Sequence, residues 1–224
     1  MLGVDQRSTR DLDTTVVGFP LSHETTERAF REICSIDAGD DFSFEFVRTE
    51  DIRETDDYPG IRVHMIARYE RMASPIVVDV TTGDRIVSGA VTYEYPLLFD
   101  DRTITLAAYP LTTVLAEKLE TVISRDVGNT RPRDYYDIHT LWNLRGTEMD
   151  FSSLAAALEA TMRKRGTAHA MENYREVMGR VAADQGMLAQ WSAYARKYPY
   201  VGNLSLGETC DTVVRIMESI VPTP

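Results

Sequence analysis

Cysteine is scarce: Cys34 and Cys210 are the only two in 224 residues, far apart and without a C-x-x-C spacing. That pattern supports neither a disulfide framework nor a zinc site and fits a reducing compartment. The histidines His23, His64, His139 and His169 also lack metal-ligand spacing. No run approaches the roughly 18 uninterrupted apolar residues of a membrane-spanning helix. The polar start MLGVDQRSTRDLD has no apolar stretch of the kind a signal peptide needs. A Walker loop, a nucleophile elbow and a G-x-G-x-x-G turn are all missing. Positive charge is short as well, with 24 Lys and Arg against 35 Asp and Glu, a net charge of −11. Proteins that bind nucleic acid by bulk neutralisation of phosphates are usually basic. Phosphate chemistry here therefore requires a local basic patch or metal ions held by carboxylates. These absences lead us to expect a soluble cytoplasmic protein.

What is present is an ordinary globular mix, 43% hydrophobic and 26% charged. Residues 10–18, RDLDTTVVG, become apolar and β-branched and predict a strand. Ser22 is a good cap for a following helix, with Ala29, Phe30 and Ile33 at helical spacing. Period-two alternation predicts strands at 42–48 (FSFEFVR) and 61–69 (IRVHMIARY). The run 76–81 (IVVDVT) and the short 103–107 (TITLA) are also read as strands, and the acidic segment from Glu50 to Asp57 as a solvated connection. From Thr112 the pattern turns helical, with apolar faces at Leu115, Leu119, Val122 and Ile123, then Tyr135, Ile138, Leu141 and Trp142. Leu154, Leu158 and Met162 mark another helix, and later ones are expected near 168–183, 187–197 and 207–221. Strands first and helices afterwards predict an α+β fold: a mixed sheet domain over residues 1–111 and a C-terminal helical bundle over 112–224.

Three stretches could carry chemistry. In a strand, Asp11 and Asp13 project to the same side while Leu12 is expected to face the core. Adjacent carboxylates repel unless a cation neutralises them, and hard divalent ions take such oxygen ligands; a solvated strand edge is the plain alternative. Asp79, set among Val77, Val78 and Val80, is costly to bury alone. It either meets an ion-pair or turn partner, or it lies beside Asp11 and Asp13 as the third carboxylate of a two-metal phosphoryl-transfer site. The third stretch runs from Lys118 through Arg125 to Arg131-Pro132-Arg133-Asp134-Tyr135-Tyr136-Asp137. Asp134 and Asp137 share a helix face, and the four basic residues could hold a triphosphate or an RNA backbone. Taken alone, an ion-pair network tying two helices is the stronger reading of that stretch. Arg163-Lys164-Arg165 reads as a solvated helix end, and Trp142, Trp191 and the tyrosines of 194–200 as packing residues.

The order RSTRDLD, IVVDVTTGD, LAEKLETVISR, RPRDYYDIHTLW over residues 3–145 resembles the AbiEii/AbiGii toxin family, nucleotidyltransferase-like proteins of bacterial abortive-infection and toxin–antitoxin systems. The resemblance implies a nucleotidyltransferase-like α/β domain followed by helices, with the active site in the cleft between them. It implies Asp11, Asp13 and Asp79 as ligands of Mg²⁺ (or Mn²⁺), with Asp79 also able to take the proton of the acceptor hydroxyl. Lys118 would contact the nucleotide phosphates and Asp134 would orient active-site groups. Arg7, Ser8, Arg125, Arg131 and Arg133 would complete the phosphate-binding set, Arg133 standing where the family often has lysine. The implied partners are a nucleoside triphosphate, an RNA acceptor such as tRNA, and a cognate antitoxin that acts without a stable complex; no membrane is involved. The family's Gly-rich phosphate turn is expected to be missing, because six residues precede Arg7 and Gly3 is the glycine among them.

The leading expectation is thus a metal-dependent nucleotidyltransferase toxin. A second reading is a catalytically degenerate transferase-fold module that binds protein or RNA, its acid and base residues kept as structural ion pairs. A glycosyltransferase that uses Asp-x-Asp for a sugar nucleotide leaves the stretch from Lys118 to Asp137 without a role.

Overall fold

Alternation of apolar and polar residues along β-strands such as 42–48 and 61–69, with the apolar run 76–81 between partners, builds the first half of the molecule. The computed structural model describes residues 11–52, 60–82, 89–97 and 101–220. Its contacts form two compact units, one within Ser8–Asp84 and one within Arg85–Pro224. The first unit holds β1 (Asp11–Val16), α1 (His23–Cys34), β2 (Phe42–Asp51), β3 (Ile61–Tyr69) and β4 (Met72–Thr82). The sheet order is β1-β4-β3-β2, with β1 parallel to β4 and the other pairs antiparallel.

One sheet face carries Ile61, Val63, Met65, Val78 and Val80, all buried, and packs against Leu21, Phe30 and Cys34 around α1. The helix is fixed by a capping box in which Ser22 Oγ accepts from the Thr25 amide at 3.2 Å. Arg31 of α1 lies 4.6 Å over the Phe46 ring, which covers part of β2. The tight turn between β3 and β4 pairs Tyr69 with Met72 and holds Glu70 at φ 48°. That left-handed conformation is uncommon for a residue with a Cβ.

Two expectations change in this unit. Strand β2 continues to Asp51, so Glu50 and Asp51 belong to the sheet and not to a solvated connection. Glu50 is held there by an ion pair to Arg48 and by His64, whose Nε2 lies 3.0 Å from its carboxylate. Strand β4 starts at Met72, earlier than its apolar run, and tolerates Pro75 because pairing to β1 begins only at Val77 among the described residues.

The second unit opens with an antiparallel ribbon, β5 (Val91–Pro96) and β6 (Thr103–Ala108), of which the sequence had signalled only the second strand. Contacts group this ribbon with the helices, in the unit that follows residue 84. Six α-helices follow: α2 (Leu111–Arg125), α3 (Pro132–Arg145), α4 (Phe151–Arg165), α5 (Tyr174–Ala183), α6 (Gln185–Lys197) and α7 (Leu206–Ile220). Local chemistry sets their ends. Pro132 starts α3, Asp150 caps α4 through the Ser152 and Ser153 amides, and Gly166 ends it in the left-handed region. Ser205 and Glu208 form a reciprocal capping box at the start of α7, with contacts of 2.8 and 3.2 Å.

These helices enclose one core in which Leu115, Leu119, Ile138, Leu154, Leu158, Val213 and Ile216 are fully buried. Trp191 and Tyr194 are buried as anticipated, and Trp191 Nε1 donates to the Leu204 carbonyl at 2.9 Å. The end of α4 corrects the reading of 163–165 as a solvated terminus. Arg163 is exposed, but Arg165 reaches the buried Glu120 of α2, which also accepts from Thr167 Oγ1 at 2.9 Å. Burying a carboxylate without partners is costly, and the guanidinium and the hydroxyl supply them. The architecture is α+β, a mixed sheet with seven α-helices among the described residues and a helical C-terminal region. Among the described residues no helix is long and apolar enough to cross a membrane.

Candidate active site

The sheet face opposite the apolar one carries a transverse row of charge. Parallel register places Asp13 of β1 directly beside Asp79 of β4. Partners in register share a face, and neighbouring strands run about 4.8 Å apart. Antiparallel register continues the row from Asp79 to Arg62 of β3 and from Arg62 to Glu50 of β2. Arg62 grips Asp79 at two points: Nε donates to Oδ1 at 2.8 Å and Nη2 donates to Oδ2 at 2.9 Å. Asp13 is exposed, whereas the Asp79 side chain retains 17% of its accessible surface and that of Arg62 38%. Just below, β1 and β4 are tied by a 2.9 Å hydrogen bond between Thr15 and Thr81 and by Thr14 Oγ1 donating to the Asp79 carbonyl at 3.2 Å. The backbone of Asp11 pairs with Val77; its side chain, and the whole of Arg7 and Ser8, lie outside the described residues.

The donor chemistry of Asp13 and Asp79 suits a hard divalent cation, since both offer carboxylate oxygens from adjacent, rigidly paired positions. Among the described residues no group of three His, Cys, Asp or Glu side chains is arranged to hold a metal. The Asp79 oxygens are instead engaged by the Arg62 fork.

A second cluster is built by α2 and α3. Lys118 Nζ donates to Asp134 Oδ1 at 3.1 Å and to Asp137 Oδ2 at 2.8 Å. The carboxylates keep only 6% and 3% of their side-chain surface, while Lys118 keeps 23%. Asp134 and Asp137 meet one ammonium because residues three apart on a helix face the same way. Arg131 stands 4.0 Å from Asp134. Arg133 is half-buried and Arg125 is exposed. This is the inter-helix ion-pair network that the motif alone favoured, and part of the Lys118 side chain stays exposed.

Other perturbed groups lie in the helical unit. Burial pushes the Cys210 thiol up to about 12, and burial also raises the Tyr135 hydroxyl. Burial, reinforced by Arg215, holds His139 below its usual value against the opposing pull of Glu208.

The family model of the AbiEii nucleotidyl transferase toxin, a type IV toxin–antitoxin system protein, matches residues 1–215. The chain belongs to the AbiEii family. That membership makes it a nucleotidyltransferase-type toxin chain and implies an antitoxin partner. Two solved structures are similar to this AbiEii chain. The crystal structure of JHP933 from Helicobacter pylori has 12% identity and a TM-score of 0.46, covering 96% of this chain and 76% of that one. A candidate nucleotidyltransferase of the same species has 12% identity and a TM-score of 0.47, covering 96% and 78%. A search of the curated proteins finds no match.

Arg62 was not singled out from the sequence, yet a signal for it exists. The β3–β4 turn pairs Tyr69 with Met72, and counting seven residues away along each strand brings Arg62 opposite Asp79. Asp137 had been placed on the Asp134 face without a role of its own. The AbiEii structure makes it the shorter of the two Lys118 contacts.

Proposed function

We propose that this AbiEii chain is a metal-dependent nucleotidyltransferase acting as the toxin of its system in the cytoplasm. It transfers a nucleotide from a nucleoside triphosphate to an RNA acceptor, tRNA being one candidate, and its antitoxin counters it without a stable complex. The observation that carries the reading is the in-register Asp13–Asp79 pair on adjacent parallel strands, in a chain matched by the AbiEii family over residues 1–215. Asp11, Asp13 and Asp79 are the residues to hold Mg²⁺ or Mn²⁺. When bound, such an ion neutralises phosphate charge and lowers the barrier to attack at the α-phosphorus.

The remaining work belongs to the chain's own side chains. Asp134 and Asp137 hold the Lys118 ammonium in place, and Lys118 is the residue assigned to a phosphate oxygen. Arg131 and Arg133 extend the positive charge along the start of α3, Arg125 adds it at the end of α2, and Arg7 and Ser8 are assigned to the same phosphate group. The acceptor hydroxyl attacks the α-phosphorus, its proton passes to a carboxylate of the row, with Asp79 the assigned acceptor, and pyrophosphate leaves. Catalysis in this scheme is positioning and charge stabilisation.

One observation favours a second reading, a transferase-fold module without catalysis: Asp79 and Lys118 already sit in well-formed ion pairs. Thermal stability separates the two. With each nucleoside triphosphate and Mg²⁺, saturation at a hundred times the dissociation constant adds about 2.7 kcal/mol. The transferase reading predicts a Mg²⁺-dependent shift with at least one nucleotide, lost in Asp13→Ala. No shift with any of the four nucleotides supports the non-catalytic module.

A further inference from the structure

The fork on Asp79 has a consequence for how the carboxylate row handles a cation. Two carboxylates side by side on paired strands repel, and a sheet offers them no room to separate. Arg62 answers that repulsion on the Asp79 side with two charge-assisted hydrogen bonds, one to each oxygen. It comes from the next strand in the same transverse row, so its place is set by register and not by a loop. The Arg62 side chain is partly exposed, at 38%, and lies on the sheet face opposite the apolar core. A divalent cation at Asp13 and Asp79 needs an Asp79 oxygen that the fork now holds, and it is repelled by the charge of the fork.

We propose that Arg62 is a resident counter-ion: it supplies the positive charge of the cation while the site waits, and it must release at least one Asp79 oxygen when the cation binds. Arg62 is then a positioning residue with a specific cost. It keeps the metal-free row folded and weakens cation affinity in exchange. The inference rests on the reading of this row as the metal site.

The test is Mn²⁺ binding to the full chain, followed by electron paramagnetic resonance of the free ion, together with melting temperature with and without Mn²⁺. Arg62→Gln removes the competing charge and is expected to tighten Mn²⁺ binding roughly tenfold, as for loss of one like charge a few ångströms away. Without metal the same variant should melt below wild type, and Mn²⁺ should raise its melting temperature by more than it raises that of wild type. Arg62→Lys keeps the charge but not the fork and should fall between wild type and Arg62→Gln; it serves as the readout if the glutamine variant fails to fold. Unchanged or weaker Mn²⁺ binding in the Arg62 variants, while Asp79→Asn still weakens it, overturns the counter-ion role and leaves the metal site standing. Binding that neither Asp13→Asn nor Asp79→Asn alters removes the metal-site reading itself.

Discussion

The molecule contains two ionic clusters of similar composition in opposite settings. On the sheet, Asp13 faces solvent and the Arg62–Asp79 pair is partly wet. Between α2 and α3, Asp134 and Asp137 are almost completely buried around Lys118. Charges in water can lose a partner cheaply, whereas a buried charge that loses its partner keeps its full desolvation cost. The open row is thus the part of the molecule where a charged partner is exchanged at the lower cost. The buried cluster is a brace that also presents one ammonium at a fixed place.

The sharpest way to break this contrast is to remove one residue from each cluster. Lys118→Met leaves two buried carboxylates without their ammonium and should cost about 3–5 kcal/mol in urea unfolding. Asp13→Ala, at an exposed edge position, should stay within about 0.5 kcal/mol of wild type. Equal losses would mean that the row, too, is structural. Apolar positions repeat the comparison: Leu119→Ala, at 0% exposure, should cost about 2–5 kcal/mol. Leu12→Ala, at 56% exposure, should be close to neutral in the same denaturation series.

A smaller effect concerns His139, whose Nδ1 shares a 2.8 Å hydrogen bond with Thr212 Oγ1 and whose folded pKa lies below 6.5. The unfolded chain then binds a proton that the folded chain resists. Stability is flat above about pH 6.5 and falls as pH drops from there through the lowered folded value. His139→Gln should flatten that part of the pH–stability curve, measured as melting temperature in steps of pH. The smallest effect is local to the sheet. Glu70→Gly relieves the positive φ of the β3–β4 turn and should gain about 0.5 kcal/mol after the added chain entropy of glycine.

Much of the fold was legible because its elements are periodic. IRVHMIARY alternates cleanly and forms β3 over the very residues expected, and the apolar faces of α2, α3 and α4 were visible as helical spacings. The strand that went unseen, β5, ends on Pro96 and pairs with β6 alone among the described residues, so neither its flank nor its burial marks it strongly. Glu120 with Arg165 was hidden for another reason. The two are 45 residues apart, and only the packing of α4 on α2 brings them together. That Asp134 and Asp137 share a helix face was readable from their spacing, whereas their common contact with Lys118 of α2 depends on how the two helices pack. The Asp13–Asp79 pairing depended on strand order, which periodicity alone does not encode. Arg62 depended on the length of one turn.

The central claim is that the carboxylate row performs nucleotide transfer. It is tested most directly by incubating the chain with α-³²P-labelled nucleoside triphosphates, Mg²⁺ and total RNA, for wild type and Asp13→Ala in parallel. The account predicts label on RNA with wild type and none with the folded variant. Label transferred equally by both proteins would contradict it.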